Sequence, residues 1–299
     1  MSTTSAATDL ATTSNRLPPG SWTGRHVVIT GANTGIGYFT VLRLLEAGAA
    51  VTMLGRSEVR NRAAIESLVA SSGRPAVDFT ALDLSDLDSV RTAAEQVLRG
   101  PRIDALINNA GIASTRGITQ QGFELAFGTN HLGHYLLTRL LLPHVNASGR
   151  IINVSSTMHR KTRSWNVGLA QGRTRTYAGL REYSYSKLAN VLFTKELARR
   201  VPVSHALVTA LHPGAVVTEV YRRMPRPIFA IMKWMKPMLT AEQGAATTLH
   251  CATVTPSAAL HGAYFDDCKV APVSRLADDP ALAGELWRRS AEWTGLPAE

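Results

Sequence analysis

His26-Val27-Val28-Ile29-Thr30-Gly31-Ala32-Asn33-Thr34-Gly35-Ile36-Gly37 is the stretch that decides the fold. A β-branched run enters a glycine-rich turn, and Phe39, Leu42, Leu45 and Ala47 then follow at helical spacing until Gly48 closes the pattern. Strand, glycine turn and helix in that order are the context a dinucleotide site requires. Small residues let the backbone approach a pyrophosphate, and the helix N-terminus supplies N–H groups and a positive dipole end. Candidate cofactor contacts in this turn are Gly31, Asn33, Thr34, Gly35, Ile36 and Gly37. The spacing is Gly-x-x-x-Gly-x-Gly rather than the commoner Gly-x-Gly-x-x-Gly, and a plain tight turn between strand and helix is the alternative.

Further strands follow, each ending in a motif. A second strand over residues 50–54 ends in Gly55-Arg56-Ser57. An acid at that strand end would bind the ribose 2′-hydroxyl of NAD and repel a 2′-phosphate. None is present, and Arg56 is placed to pair with the phosphate, so NADP(H) is favoured over NAD(H). The alternative for Arg56 is an exposed residue opening the next helix. A third strand, 77–82, leads into Asp83-Leu84-Ser85, where Asp83 is a helix cap, an adenine contact or both, with Leu84 beside it. A fourth, 105–107, runs into Asn108-Asn109-Ala110-Gly111, a small-residue turn against which a ring system can pack. Residues 150–154 form a fifth and end in Ser155-Ser156; residues 206–211 form a sixth and end in His212-Pro213-Gly214. Five or six strands alternating with helices predict an α/β, doubly wound parallel sheet, whose ligands sit beyond the carboxyl ends of its strands.

Between the fifth and sixth strands lies Glu182-Tyr183-Ser184-Tyr185-Ser186-Lys187-Leu188-Ala189-Asn190, which continues with helical apolar spacing. Tyr183 and Lys187 are four residues apart and so share a helix face, one turn apart. A cation beside a phenol favours the phenolate and suits it to proton transfer near neutral pH. Tyr185, two residues from Lys187, is expected to point elsewhere. The spacing alone also describes ordinary surface neighbours. The segment from Arg160 to Arg175 is basic, aperiodic and read as a loop.

Composition limits the alternatives. A chain of 299 residues with 45% apolar content buries one substantial core. The two cysteines, Cys251 and Cys268, fit neither a zinc site nor a redox pair, which points to a reducing cytoplasm. Residues 1–20 are read as a disordered arm and 21–299 as a single domain. The apolar stretch 228–239 is interrupted by Lys233, Lys236 and Pro237, so no transmembrane segment is expected. The formal net charge of +10 comes with a large excess of arginine over lysine and with no nucleic-acid module, so no nucleic-acid partner is expected. No metal site is expected, and a homo-oligomer is compatible with the sequence.

Thr30-Gly31-x3-Gly35-x-Gly37, Asn108-Asn109-Ala110-Gly111, Asn130, Ser156, Tyr183-x3-Lys187 and Pro213-Gly214 together resemble the short-chain dehydrogenase/reductase superfamily, in order and spacing from about Arg25 to Phe265. Asn130-His131-Leu132-Gly133-His134, Ser184-x-Ser186-Lys187-Leu188-Ala189-Asn190, Gly262-x-Tyr264-Phe265 and Leu286-Trp287-x3-Ser290 resemble its retinol dehydrogenase-like branch. The resemblance implies Tyr183 as general acid or base, with Lys187 depressing its pKa and holding the nicotinamide ribose. It implies Ser156 on the substrate oxygen, with Ser155 second, and Asn130 anchoring a water that relays protons through Lys187. It also implies Asn109, Ala110, Gly111, Pro213, Gly214 and Thr218 around the nicotinamide half of the cofactor. The expected activity interconverts a carbonyl and an alcohol on an apolar, medium-sized substrate, covered by a small helical lid at about 215–240. Two features depart from the pattern. The glycine turn has no basic residue, and the N-terminal membrane segment typical of retinol enzymes is not found, so retinol itself is not the expected substrate. A reductase tailoring a polyketide or other secondary metabolite, and a dinucleotide-binding regulator with an idle site, are the competing readings.

Overall fold

The computed structural model describes residues 15–215 and 239–298. The eight strands β1 (His26–Thr30), β2 (Ala50–Gly55), β3 (Val77–Ala81), β4 (Ile103–Asn108), β5 (Val145–Val154), β6 (Ala206–His212), β7 (Tyr264–Asp266) and β8 (Lys269–Val270) form one sheet in the order 3-2-1-4-5-6-7-8. The first seven run parallel, and β8 returns antiparallel on β7. The sheet is therefore wider than the five or six strands read from the sequence. β7 has three residues and β8 two, too short for a periodic signal.

Among the described residues, the α-helices longer than one turn that cover the two faces are α1 (Gly35–Glu46), α2 (Glu58–Ser72), α3 (Leu87–Leu98), α4 (Gly133–Leu141), α5 (Leu180–Arg200), α6 (Ala241–Thr253) and α7 (Pro280–Thr294). Strand alternation divides the core. Val27 and Ile29 pack with α1 and α6 on one face, and Val28 packs with α3, α4, α5 and α7 on the other. Both faces being covered explains why the strands read as apolar runs rather than alternating ones. Arg43 on α1 ties the first layer together through ion pairs to Glu46 at 2.7 Å and to Glu242 of α6.

Strand order reverses between β1 and β4, which opens a crevice at their carboxyl ends. The turns after these strands touch there: a Cβ built on Gly31 would lie 2.8 Å from the Cα of Ala110. Residues 1–14 of the expected arm lie outside the described residues. Asn15 is buried, and its Nδ2 donates to the Glu242 carbonyl at 2.8 Å. Thr218 and all but the ends of the expected lid also lie outside them.

Candidate active site

Thr30 closes β1 with a buried hydroxyl that accepts the backbone N–H groups of Asn109 at 3.0 Å and Ala110 at 2.9 Å. The Asn109 side chain donates back to the carbonyls of Thr30 at 2.8 Å and Gly31 at 3.0 Å. The glycine turn and the turn after β4 are thereby locked into one cradle. Gly37 is buried at its base, where a Cβ would fall 2.6 Å from the Gly31 carbonyl oxygen. Gly35, in contrast, has φ +61° and open space where a Cβ would stand. The N-cap of α1, Thr34, makes no side-chain cap, and the first turn of α1 carries no acid. Open space next to uncapped N–H groups at a positive dipole end fits a dinucleotide pyrophosphate. Asn33 and Ile36 are half-buried beside it.

Arg56 stands exposed immediately after β2. It does not open the next helix: Ser57 is the N-cap of α2 and accepts the Arg60 N–H at 3.3 Å. Among the described residues no carboxylate forms an ion pair with Arg56. For Asp83 the helix-cap alternative is corrected. The N-cap of α3 is Asp86, while Asp83 Oδ1 accepts the N–H (2.9 Å) and hydroxyl (2.7 Å) of Ser85. Asp83 shapes the turn that brings buried Leu84 against Gly133.

α5 carries the proton-transfer candidates. Lys187 is buried, its Nζ donates to the Val154 carbonyl at 2.9 Å and lies 5.7 Å from the centre of the Tyr183 ring. Burial pulls its pKa from 10.5 down to about 8. Among the described residues no carboxylate pairs with it. Tyr183 is half-buried, on the same helix face. Tyr185 faces the other way: its hydroxyl donates to the Asn166 carbonyl at 2.7 Å, its ring stacks on Trp165 at 4.3 Å, and burial pushes its pKa up. The two serines after β5 are equally distinct. Ser155 donates to the Lys187 carbonyl at 2.7 Å, whereas Ser156 accepts the Met158 N–H at 3.2 Å at the start of a 3-10 turn.

Asn130 is fully buried in a π-helical turn (Gly128–Leu132) that leads into α4, an irregularity often found at functional sites. Its Oδ1 accepts the Ile112 N–H at 2.8 Å; its Nδ2 donates to the Ile112 carbonyl and to Ser186 Oγ, both at 2.9 Å. A Cβ on Gly111 would stand 3.3 Å from Lys187 Nζ and 3.4 Å from Asn130 Oδ1, so the turn after β4 lies directly over both. Pro213 and Gly214 close β6, and the Leu239 N–H donates to the Ala215 carbonyl at 2.9 Å. Residues 215 and 239 thus meet just beyond the carboxyl end of β6.

The fold brings together the ends of β1, β4 and β5 with one face of α5. Sequence reading assigned no role to Ser186, to His134, or to Glu182, which accepts the N–H groups of Arg175 (3.1 Å) and Thr176 (2.9 Å). Those contacts, with short helical turns at Thr157–Lys161 and Val167–Leu169, give the basic segment an ordered path rather than a plain loop.

A switch-point cradle beside a tyrosine and a buried lysine on one helix defines a class of nucleotide-dependent oxidoreductase. The chain belongs to the short-chain dehydrogenase family, whose model matches residues 25–227. It is 40% identical over 285 residues to human Retinol dehydrogenase 11, covering 92% of this chain and 87% of that one. It is 42% identical over 281 residues to Dehydrogenase/reductase SDR family member 13 of Bos taurus, covering 91% and 74%. The crystal structure of an uncharacterized protein from Mycobacterium Paratuberculosis superposes with a TM-score of 0.77 at 34% identity, over 96% of this chain and 98% of that one.

Proposed function

We propose that the protein is an NADP(H)-dependent oxidoreductase that interconverts a carbonyl and an alcohol on an apolar, medium-sized molecule, with Tyr183 as the general acid or base. The observation that carries this reading is Lys187, a buried ammonium beside a half-buried phenol and with no carboxylate partner among the described residues. A buried charge without a counter-ion costs the fold stability, and such a group in a cleft is a functional-site candidate. Bound nicotinamide dinucleotide supplies or takes up the hydride. Tyr183 gives its proton to the carbonyl oxygen in reduction, or accepts it from the alcohol in oxidation. Lys187 favours the phenolate form electrostatically and holds the nicotinamide ribose. Ser156 hydrogen-bonds the substrate oxygen as charge develops on it. Asn130 anchors a water that relays protons through Lys187.

Gly31, Asn33, Thr34, Gly35, Ile36 and Gly37 would hold the pyrophosphate, Asp83 and Leu84 the adenine, and Asn109, Ala110, Gly111, Pro213, Gly214 and Thr218 the nicotinamide half. Exposed Arg56, with no acid at the end of β2, supports the phosphate of NADP. Both cysteines are free, in keeping with a reducing cytoplasm. Among the described residues no helix is long and apolar enough to cross a membrane.

The test measures oxidation of NADPH and NADH against a panel of aldehydes and ketones that includes all-trans-retinal. NADPH should be preferred, and Arg56→Ala should remove that preference by weakening NADPH about 10-fold or more. Tyr183→Phe should lower turnover by ~10²–10⁴-fold, with Tyr185→Phe as the matched control. Equal use of both cofactors would end the NADP assignment, and full activity in Tyr183→Phe would end the acid–base one.

A further inference from the structure

His134 links the cofactor cradle to the Asn130 turn. Its Nε2 lies 2.8 Å from Thr30 Oγ1, and its Nδ1 lies 3.0 Å from the Asn130 carbonyl oxygen. The direction of both bonds follows from counting protons. A threonine hydroxyl has two acceptor lone pairs and one proton. Both lone pairs of Thr30 Oγ1 face backbone N–H groups, those of Asn109 and Ala110. The hydroxyl proton is left for Nε2. The ring is then neutral, bears its proton on Nδ1 and donates it to Asn130. Burial agrees, holding the ring's pKa at about 4, with the nearby Lys187 charge acting in the same sense.

The chain continues past Asn130. Its Nδ2 donates to Ser186 Oγ at 2.9 Å, and Ser186 donates to the Tyr183 carbonyl at 2.8 Å. A single directed sequence of hydrogen bonds and side chains thus runs from Thr30 through His134, Asn130 and Ser186 to the backbone of Tyr183. Each end is a different part of the site.

We propose that His134 is a positioning residue with two separable tasks: its Nε2 edge fixes the cofactor cradle through Thr30, and its Nδ1 edge fixes the Asn130 turn that supports proton transfer. The second task rests on the reading of Tyr183 and Asn130 given above; the first does not.

Two substitutions divide the ring. An asparagine amide reaches the position of Nδ1 but not Nε2, and a glutamine amide reaches Nε2 but not Nδ1. His134→Asn should weaken NADP⁺ binding, read by titration of the cofactor alone, by ~3–10-fold, while turnover at saturating cofactor stays within about 3-fold. His134→Gln should do the reverse, binding NADP⁺ normally and losing about 10-fold or more in turnover. Equal losses of both constants in both variants, or no loss in either, would make His134 a space-filling residue and overturn the proposal. Tyr183→Phe is measured alongside. If it keeps full turnover, the acid–base reading fails, and the NADP⁺ binding split alone then decides the case for His134. Should a variant not fold, histidine ¹⁵N NMR of the unsubstituted protein gives the answer directly. A proton on Nδ1 with a bare Nε2 supports the proposal, and a proton on Nε2 refutes it.

Discussion

At Lys187 the proposed chemistry and stability conflict. Its pKa is about 8 in the folded chain against 10.5 ordinarily, because no solvent reaches the ammonium. The unfolded chain therefore holds more protons between those two values. Stability rises with pH across that window, and the cost is full below pH 8, on the order of 3 kcal/mol. Lys187→Met should be inactive and more stable than the parent at pH 7. Its advantage should shrink as pH climbs toward 10.5. Urea denaturation of both proteins at pH 7 and pH 10 checks this, and parallel pH profiles would refute it. The Tyr183 and Lys187 pair was legible in sequence because i, i+4 spacing sets a shared helix face without tertiary help. The sequence reading placed Ser156 ahead of Ser155, and in the fold the Ser155 hydroxyl is engaged with the Lys187 carbonyl.

Among the elements, the π-helical turn before α4 does most to assemble the site. A helix of ordinary pitch would carry Asn130 to a different face. Gly133, which follows the turn, is packed against the backbone of Leu84, with a built Cβ colliding with its carbonyl oxygen and lying 3.1 Å from its Cα. Backbone cannot yield as a side-chain tip can. Gly133→Ala should therefore lower stability by ~1–3 kcal/mol and displace Asn130, with turnover falling as well. Denaturation midpoints and kcat measured on the same preparation check it; a variant with parental values for both would show that the turn tolerates the shift. Helical periodicity reports a regular pitch and carries no sign of the extra residue in the turn.

On the scale of the molecule, the π-helical turn and α4 together carry two buried neutral histidines, His131 and His134, into the core. Burial holds His131 near pKa 3 and His134 near 4, against 6.5 ordinarily. The unfolded chain binds these protons more readily, so stability is lost as pH falls below 6.5, by about 1.4 kcal/mol per pH unit for each ring. From pH 6.5 to 5 the two together should remove up to about 4 kcal/mol. His26, His159 and His212 shift in the same direction. His131→Phe should flatten the acid limb of a plot of thermal midpoint against pH, and an unchanged limb would refute the account. The charge of the whole chain, +10, gave no such information, since the rings responsible are uncharged in the fold.

Local pattern by itself determined the class of this fold. A strand, a glycine turn and a helix are specified by residues close in sequence, and so are the motifs at each strand end. The sequence also carried the site residues on α5, because helix pitch converts spacing into direction. Tertiary structure alone decided the rest. The seventh and eighth strands are too short to pattern themselves, and Asp83 yields the helix cap to Asp86 for reasons of turn geometry. The role of His134 depends on Thr30, 104 residues away, whose hydroxyl has a single proton to give once two backbone amides have taken its lone pairs. Hydrogen-bond valence of that kind is satisfied by groups that meet only after the sheet has formed.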